Sequence, residues 1–269
     1  MGQKQVAIVI PFYRNHISVY EAIALDQCFK VLANYPVIGV KPQHLDVPAA
    51  FLKFPFAEFK SFDDRYFANI DGYNALMLSS EFYEAFLDYE FILIHQLDAF
   101  VFADQLNEWC KRKYDYIGAP WLRDIDHPDL FKSLKSNLKY YFHVRNDVRE
   151  PNGEPTKYQY ENRVGNGGFS LRRVKKFYAI AAGQRPAIEK YLAIGGHHFN
   201  EDRFWSIEVN RKKKAIIIPD YKTGLKFAFE LVPDRALRLN HQQLPFGCHA
   251  WDRYIDFWRP IFKQFGYVI

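Results

Sequence analysis

The chain alternates short apolar runs with longer stretches in which apolar residues recur at helical spacing. "QVAIVIPFY" reads as a β-branched buried strand closed by Pro11. In "SVYEAIALDQCFKVLANY", Ser18 and Glu21 fit a capping box, and Tyr20, Ile23, Cys28 and Leu32 lie near one stripe, so a helix is expected. "PVIGVKP" is a second strand, followed by an expected loop. "DGYNALMLSSEFYEAF" suits one or two short helices through Tyr73, Leu76, Met77, Phe82, Tyr83 and Phe86. "EFILIHQLDAF" is the next strand, "ADQLNEWCKRK" a helix with Asp104 near its start, and "YDYIGAPW" a further strand.

This alternation predicts an α/β fold with a mostly parallel sheet and helices on both faces. Ligands of such sheets bind beyond the carboxyl ends of the strands. Tyr13-Arg14-Asn15 and Asp98 both fall at such ends, which places them on one rim. From about 123 to 163 the pattern weakens into a stretch rich in charge, Pro, Gly and Asn with no clean period. Beyond it, "VGNGGFSLRR" reads as a strand with a glycine-rich approach and "VKKFYAIAA" as a helix. "NEDRFWSIEVNRKKK" reads as a helix opening at Asn200, and "AIIIPD" and "KFAFE" as short strands. With no internal repeat and no linker, residues 1–269 are expected to form one domain carrying an irregular insertion at about 123–163.

Composition narrows the function classes. An apolar content of 49% over 269 residues supports a sizeable core, and the 18% of aromatic residues suits either a core or a sugar- or base-binding cleft. A formal charge of +5 is mild for this length and excludes a nucleic-acid signature. Cys28, Cys110 and Cys248 are odd in number and widely spaced, so neither a disulfide framework nor a zinc site is expected, and a reduced, cytoplasmic setting is. "VAIVIPF" is too short for a signal segment, and no stretch approaches the roughly 20 apolar residues of a membrane span. The "RKKK" run at 211–214 is expected as a solvated helix end and the aromatic tail as core packing. For both, peripheral contact at the inner face of the cell membrane is the alternative.

Four places carry candidate chemistry. Asp98 ends an apolar run, where a carboxylate is either a turn or helix cap, or a ligand for a hard cation or a sugar hydroxyl; Gln96 would share its face if the strand continues. Glu201-Asp202 suits a helix first turn capped by Asn200, but it follows "YLAIGGHHFN", a loop-like entry at which a carboxylate takes a proton from a hydroxyl. In "VGNGGFSLRR", Gly165, Gly167 and Gly168 permit close backbone approach, and Arg172 or Arg173 could meet a phosphate; the plain alternative is a glycine-bulged strand. "GNGG" lacks the dinucleotide-fold spacing. His249 in "PFGCHAW" is either a satisfied, partly buried ring or a ligand completing an oxygen-rich metal site. No spacing favours His197, His198 or His241, and His95 alternates into the sheet.

Taken in order, "VAIVIPFY", "DGYNALMLSSEFYEAF", "YEFILIHQLDAFVF", "DYIGAPW", "VGNGGFSLR", "NEDRFW" and "LPFGCHAW" resemble the GT-A fold of nucleotide-sugar-dependent glycosyltransferases, and more narrowly a family of uncharacterised bacterial glycosyltransferase-like domains. The resemblance spans residues from about 5 to 251. It implies a mixed, mostly parallel sheet in a single GT-A-like domain. It also implies a DxD motif at Gln96-Leu97-Asp98, a glycine loop at Gly165, Gly167 and Gly168, an xED motif at Asn200-Glu201-Asp202, and the late histidine at His249. Gln96 stands where the first Asp of DxD belongs, so one anionic metal ligand is missing. Asp98 and His249 with diphosphate oxygens would hold Mn²⁺ or Mg²⁺.

The resemblance implies donor contacts from Pro11, Tyr13, Arg14, Gln96, Asp98, Gly167, Gly168 and Arg172. Asp202, with Glu201 beside it, would deprotonate the acceptor hydroxyl for inverting transfer from a nucleotide sugar to a glycan or surface polysaccharide. The alternatives are a non-catalytic carbohydrate- or nucleotide-binding module, or a sugar nucleotidyltransferase. The latter lacks its "GxGxR"-like loop near the first strand.

Overall fold

The computed structural model of the chain describes residues 3–123, 130–196 and 198–269, with side chains throughout except at 130–133. Its first half runs β1 (Lys4–Pro11), α1 (Val19–Val31), β2 (Val37–Pro42), β3 (Glu58–Phe62), α2 (Ile70–Met77), α3 (Ser80–Glu84), β4 (Tyr89–His95), β5 (Phe100–Val101), α4 (Leu106–Lys111), β6 (Tyr116–Gly118) and β7 (Pro120–Trp121). Then come α5 (Leu130–Arg145), β8 (Arg163–Val164), β9 (Phe169–Arg173), α6 (Val174–Gly183), α7 (Arg185–Ile194), α8 (Glu201–Ser206), α9 (Tyr221–Phe227), β10 (Ala228–Phe229), α10 (Pro233–Leu239), β11 (Gly247–Cys248) and α11 (Ile255–Gln264).

The main sheet has the order β3-β2-β1-β4-β9-β6. β9 runs antiparallel to both β4 and β6, and the remaining pairs are parallel, so one strand of the six is reversed. Period two sorts the core. Val6, Ile8, Ile10, Phe91 and Leu93 pack with Leu25 and Cys28 of α1 and Trp109 of α4. Ala7, Val9, Ile92 and Ile94 face the other way, onto Met77 of α2, Tyr83 of α3, Phe177 of α6 and Trp205 of α8. Strands covered on both faces explain why these runs carry no polar interruption. α1 starts where expected, with Ser18 and Glu21 completing the capping box.

A smaller sheet, β10-β11-β5, is closed by the aromatic tail. Trp251, Trp258 and Phe262 are fully buried there, and Phe262 stacks on Phe100 at 4.0 Å. Core packing is therefore the fate of that tail. All three cysteines are free and buried. No helix among the described residues is long and apolar enough to cross a membrane.

Several expectations are corrected. The loop after β2 contains β3, an edge strand whose middle is only partly buried, so its alternation was weak. "YDYIGAPW" divides, because β6 pairs with β9 whereas β7 pairs with β8. The stretch 123–163 holds the 16-residue helix α5, and its residues 124–129 lie outside the described ones. "AIIIPD" is no regular strand: Ile217 exchanges hydrogen bonds with the backbone and the carboxylate of Asp115. α8 spans only six residues, so "RKKK" follows a 3-10 turn instead of ending a helix.

Candidate functional site

Two strand ends and one turn build the rim. β1 ends at Pro11, leaving Tyr13 exposed and Arg14 paired with Glu21 at 2.9 Å. β4 ends at His95, and Gln96 donates its N–H to the Gly168 carbonyl at 2.9 Å. Ala99 N–H closes a turn on the Gln96 carbonyl at 3.0 Å. A cleft of about 660 Å³ opens here, lined by Pro11, Tyr13, Arg14, Gln96 and Asp98, with Tyr73, Trp251 and Asp252 opposite. The sheet thus gathers five of the expected donor residues beyond the ends of β1 and β4. Because the strand does not continue past His95, Gln96 and Asp98 come together through a turn instead of a shared strand face.

The small sheet delivers the next residues. Cys248 lies opposite Phe100 and beside Phe229, so His249 emerges between Asp98 and Glu230. His249 Nε2 stands 3.0 Å from Gln96 Oε1 and 3.1 Å from Asp98 Oδ1, and its Nδ1 is 3.6 Å from Glu230 Oε1. Gln96 donates its amide N–H to the Tyr73 hydroxyl at 3.0 Å, which aims the amide oxygen at His249. Burial opposes charge on this imidazole, but Asp98 and then Glu230 outweigh it and raise its pKa to about 10. Burial likewise works against the Asp98 carboxylate, and His249 overrides it, holding its pKa below the usual value. A side chain on Gly168 would sit 2.1 Å from His249 Nε2, so only glycine lets the ring lie against this backbone.

Near the end of β9 the charge balance reverses. Arg172 is fully buried and holds Glu201 with two hydrogen bonds, 2.9 and 3.1 Å long. It also donates to the Tyr83 hydroxyl, the Ser170 hydroxyl and the Gly167 carbonyl. Gly167 fits because a side chain there would meet Glu201 Oε1 at 2.2 Å. Arg172, expected at a phosphate, and Glu201, expected beside the base, hold one another, and neither they nor Asp202 are among the residues that line the cleft. Asn200 sits at the helix N-cap position without capping, because its side chain accepts from Asn74 while Asn74 receives the Glu201 N–H.

Asp202 is half-buried next to Gly167, with Oδ1 accepting from the Arg203 N–H at 2.7 Å. Burial, then Glu201, then Glu230 push its pKa up to about 7, against the pull of Arg203. Arg203 lies over the Tyr160 ring at 4.3 Å and meets His198. Among the other histidines, His95 is enclosed in the sheet, where burial lowers its pKa to about 4. His241 is an exposed turn residue, and His197 lies outside the described residues. Sequence reasoning missed Glu230 and Tyr73. Glu230 had a signal, since "KFAFE" is an apolar run ending in a carboxylate, as "FILIHQLD" is.

A divalent ion would meet the Asp98 carboxylate and the Gln96 amide oxygen here, and His249 Nε2 would join them only by giving up the proton that its neighbours hold on it. No group of three or more His, Cys, Asp or Glu among the described residues could hold a metal unaided, so substrate oxygens have to complete the shell.

A family model described as "Protein of unknown function (DUF5672)" matches residues 56–249. No curated protein matches the chain. Among solved structures, it is similar to the galactosyltransferase LgtC in complex with donor and acceptor sugar analogues, at 14% identity and a TM-score of 0.54 over 90% of this chain and 86% of that one. It is also similar to mouse xyloside xylosyltransferase 1 in its apo form, at 11% identity and a TM-score of 0.50 over 91% of this chain and 97% of the other. At such identities the likeness is one of fold, and the fold is the GT-A arrangement expected from the sequence.

Proposed function

The chain belongs to the DUF5672 family, and we propose that it is a glycosyltransferase moving a sugar from a nucleotide-sugar donor to a hydroxyl of a glycan or surface-polysaccharide acceptor. One observation carries this reading. The cleft beyond β1 and β4 joins an aromatic and a cationic residue, Tyr13 and Arg14, to the Gln96–Asp98–His249 cluster. That is the chemistry a nucleoside diphosphate needs: a ring for the base and a polar, cation-holding end for the phosphates.

In this reading residues 1–269 form one GT-A-like domain, and the 123–163 stretch shapes its acceptor side. Pro11, Tyr13, Arg14, Gln96 and Asp98 seat the donor, while Gly167 and Gly168 let the β9 backbone approach it. Asp98 and His249 would hold Mn²⁺ or Mg²⁺, helped by Gln96, and a bound ion would offset the negative charge left on the departing diphosphate. Asp202 takes the acceptor O–H proton. The acceptor oxygen then forms its bond to the anomeric carbon as the bond to the diphosphate oxygen breaks on the opposite face, which inverts that centre. A carboxylate whose pKa is near 7 is a better proton acceptor than an ordinary one and still ionises at neutral pH.

Incubation with UDP-, GDP- and CMP-sugars, with Mn²⁺ or with a chelator, tests this. Turnover of a donor that collapses in Asp98→Ala supports it, and normal turnover in that variant removes Asp98 from the site. Tight nucleotide binding without turnover of any donor would instead favour a non-catalytic binding module, a reading that Gln96 in place of an acid keeps in view.

A further inference from the structure

α5 is built inside out. An amphipathic helix on a globular protein normally turns its apolar stripe to the core. Here Val144 is buried, His143 meets the Thr156 hydroxyl at 2.7 Å, and Tyr140 lies under Arg163 at 3.5 Å, so that face is fastened to the body. The stripe at Leu134, Leu138, Tyr141 and Phe142 points the other way, each side chain 59% to 68% exposed. These four are spaced by four, three and one residues, which puts them on one face of the helix. They account for four of the eleven exposed large apolar side chains among the described residues, and the other seven are scattered along the chain.

Charge says what covers this stripe. The α5 sequence "LFKSLKSNLKYYFHVR" contains four basic residues and no Asp or Glu. Lys135 and Arg145 are exposed beside the stripe. Arg145 donates to the Lys212 carbonyl at 2.7 Å, which brings the exposed Lys212-Lys213-Lys214 run against the end of the helix. The carboxylates nearest that junction are already taken: Asp147 pairs with Arg149 at 2.8 Å and with Arg211, which also holds Glu208. A patch with Leu, Tyr and Phe at its centre and, at its rim, lysines that hold no ion pair among the described residues matches an anionic lipid surface, where rings and leucines enter the headgroup boundary and lysines reach the phosphates.

We propose that α5, together with Lys212–Lys214, is a membrane-docking surface for anionic phospholipid. This surface is built from residues outside the cleft lining, so it stands whether or not the reaction proposed above is correct. Of the two places where the sequence left membrane contact as the alternative, the aromatic tail is packed inside, and the basic run at 211–214 joins α5 in this surface.

Co-sedimentation of the full chain with vesicles of phosphatidylcholine plus phosphatidylglycerol, against phosphatidylcholine alone, tests it. The chain should bind the anionic vesicles, and about tenfold more weakly the neutral ones. Leu138→Glu with Phe142→Glu should weaken anionic binding by about tenfold or more with the thermal midpoint unchanged, because both side chains already face outward. Lys135→Ala with Lys213→Ala should act in the same direction with a smaller loss, and added salt should mimic it. Absence of vesicle binding, or equal binding by the glutamate variant, would overturn the proposal. So would a dimer that the glutamate variant dissolves without any vesicle binding, which would make the stripe a contact between copies of the chain.

Discussion

Glu201 and Asp202 are neighbours in sequence and opposites in environment. Glu201 is buried against the Arg172 guanidinium, which offers it two parallel hydrogen bonds. Asp202, one peptide further, has no such cation; burial and the charges of Glu201 and Glu230 crowd it and raise its pKa. The pair shows that a carboxylate's role is set by what faces it. One acid locks the start of α8 to β9, and the other is left as the group able to exchange a proton.

The largest test breaks the quiet member. Arg172→Met leaves Glu201 buried without its counter-charge and should cost about 3–5 kcal/mol in denaturant unfolding. Adding Glu201→Met should recover much of that loss, since a well-packed apolar pair needs no desolvation of charge. If the single variant unfolds like the wild type, the ion pair is not what anchors this corner.

Asp202→Asn strikes the other member with the reverse signature. Sugar transfer should fall by about 10²–10⁴-fold while folding is strengthened. The sign follows from the pKa: a carboxyl raised from 3.8 to about 7 on folding binds its proton more tightly in the native state, so stability is lost as pH rises through that window. An uncharged asparagine escapes the loss, and the melting temperature above pH 7 should rise. A variant that is both active and unchanged in stability would separate Asp202 from this role.

The smallest effect sharpens the comparison. The rate should climb with pH to a plateau above about 7 as Asp202 loses its proton. Arg203 lowers that pKa and Glu230 raises it, so Arg203→Ala should move the rise to higher pH and Glu230→Gln to lower pH. Profiles that fail to move in opposite directions would place another group in control.

Much of this site can be read from short segments because local chemistry marks it. The Ser18–Glu21 capping box sets where α1 begins, and hence where the rim after β1 opens. "FILIHQLD" announces both a covered strand and a carboxylate at its end. What stayed hidden depends on partners far along the chain. Nothing near Arg172 signals that it meets a glutamate 29 residues later, so it reads as a free cation. β3 and α5 escaped for a different reason: pattern reading assumes that apolar residues face a core, while β3 is an edge strand and the α5 stripe faces outward.

The reversed strand has a mechanical consequence. His95 is in register with Phe169, and the next rung joins Gln96 to Gly168, so the Gln96–Asp98 turn and the glycine turn against which Glu201 and Asp202 pack share one ladder of hydrogen bonds. Their alignment can therefore change only in whole steps. A slip of one residue turns every side chain to the wrong face, and a slip of two displaces the halves by about 7 Å. The spacing between the Gln96–Asp98 turn and the glycine turn that backs Asp202 is thus a discrete setting. Sequence change in the surrounding loops can therefore reshape the cleft lining while this register stays as it is.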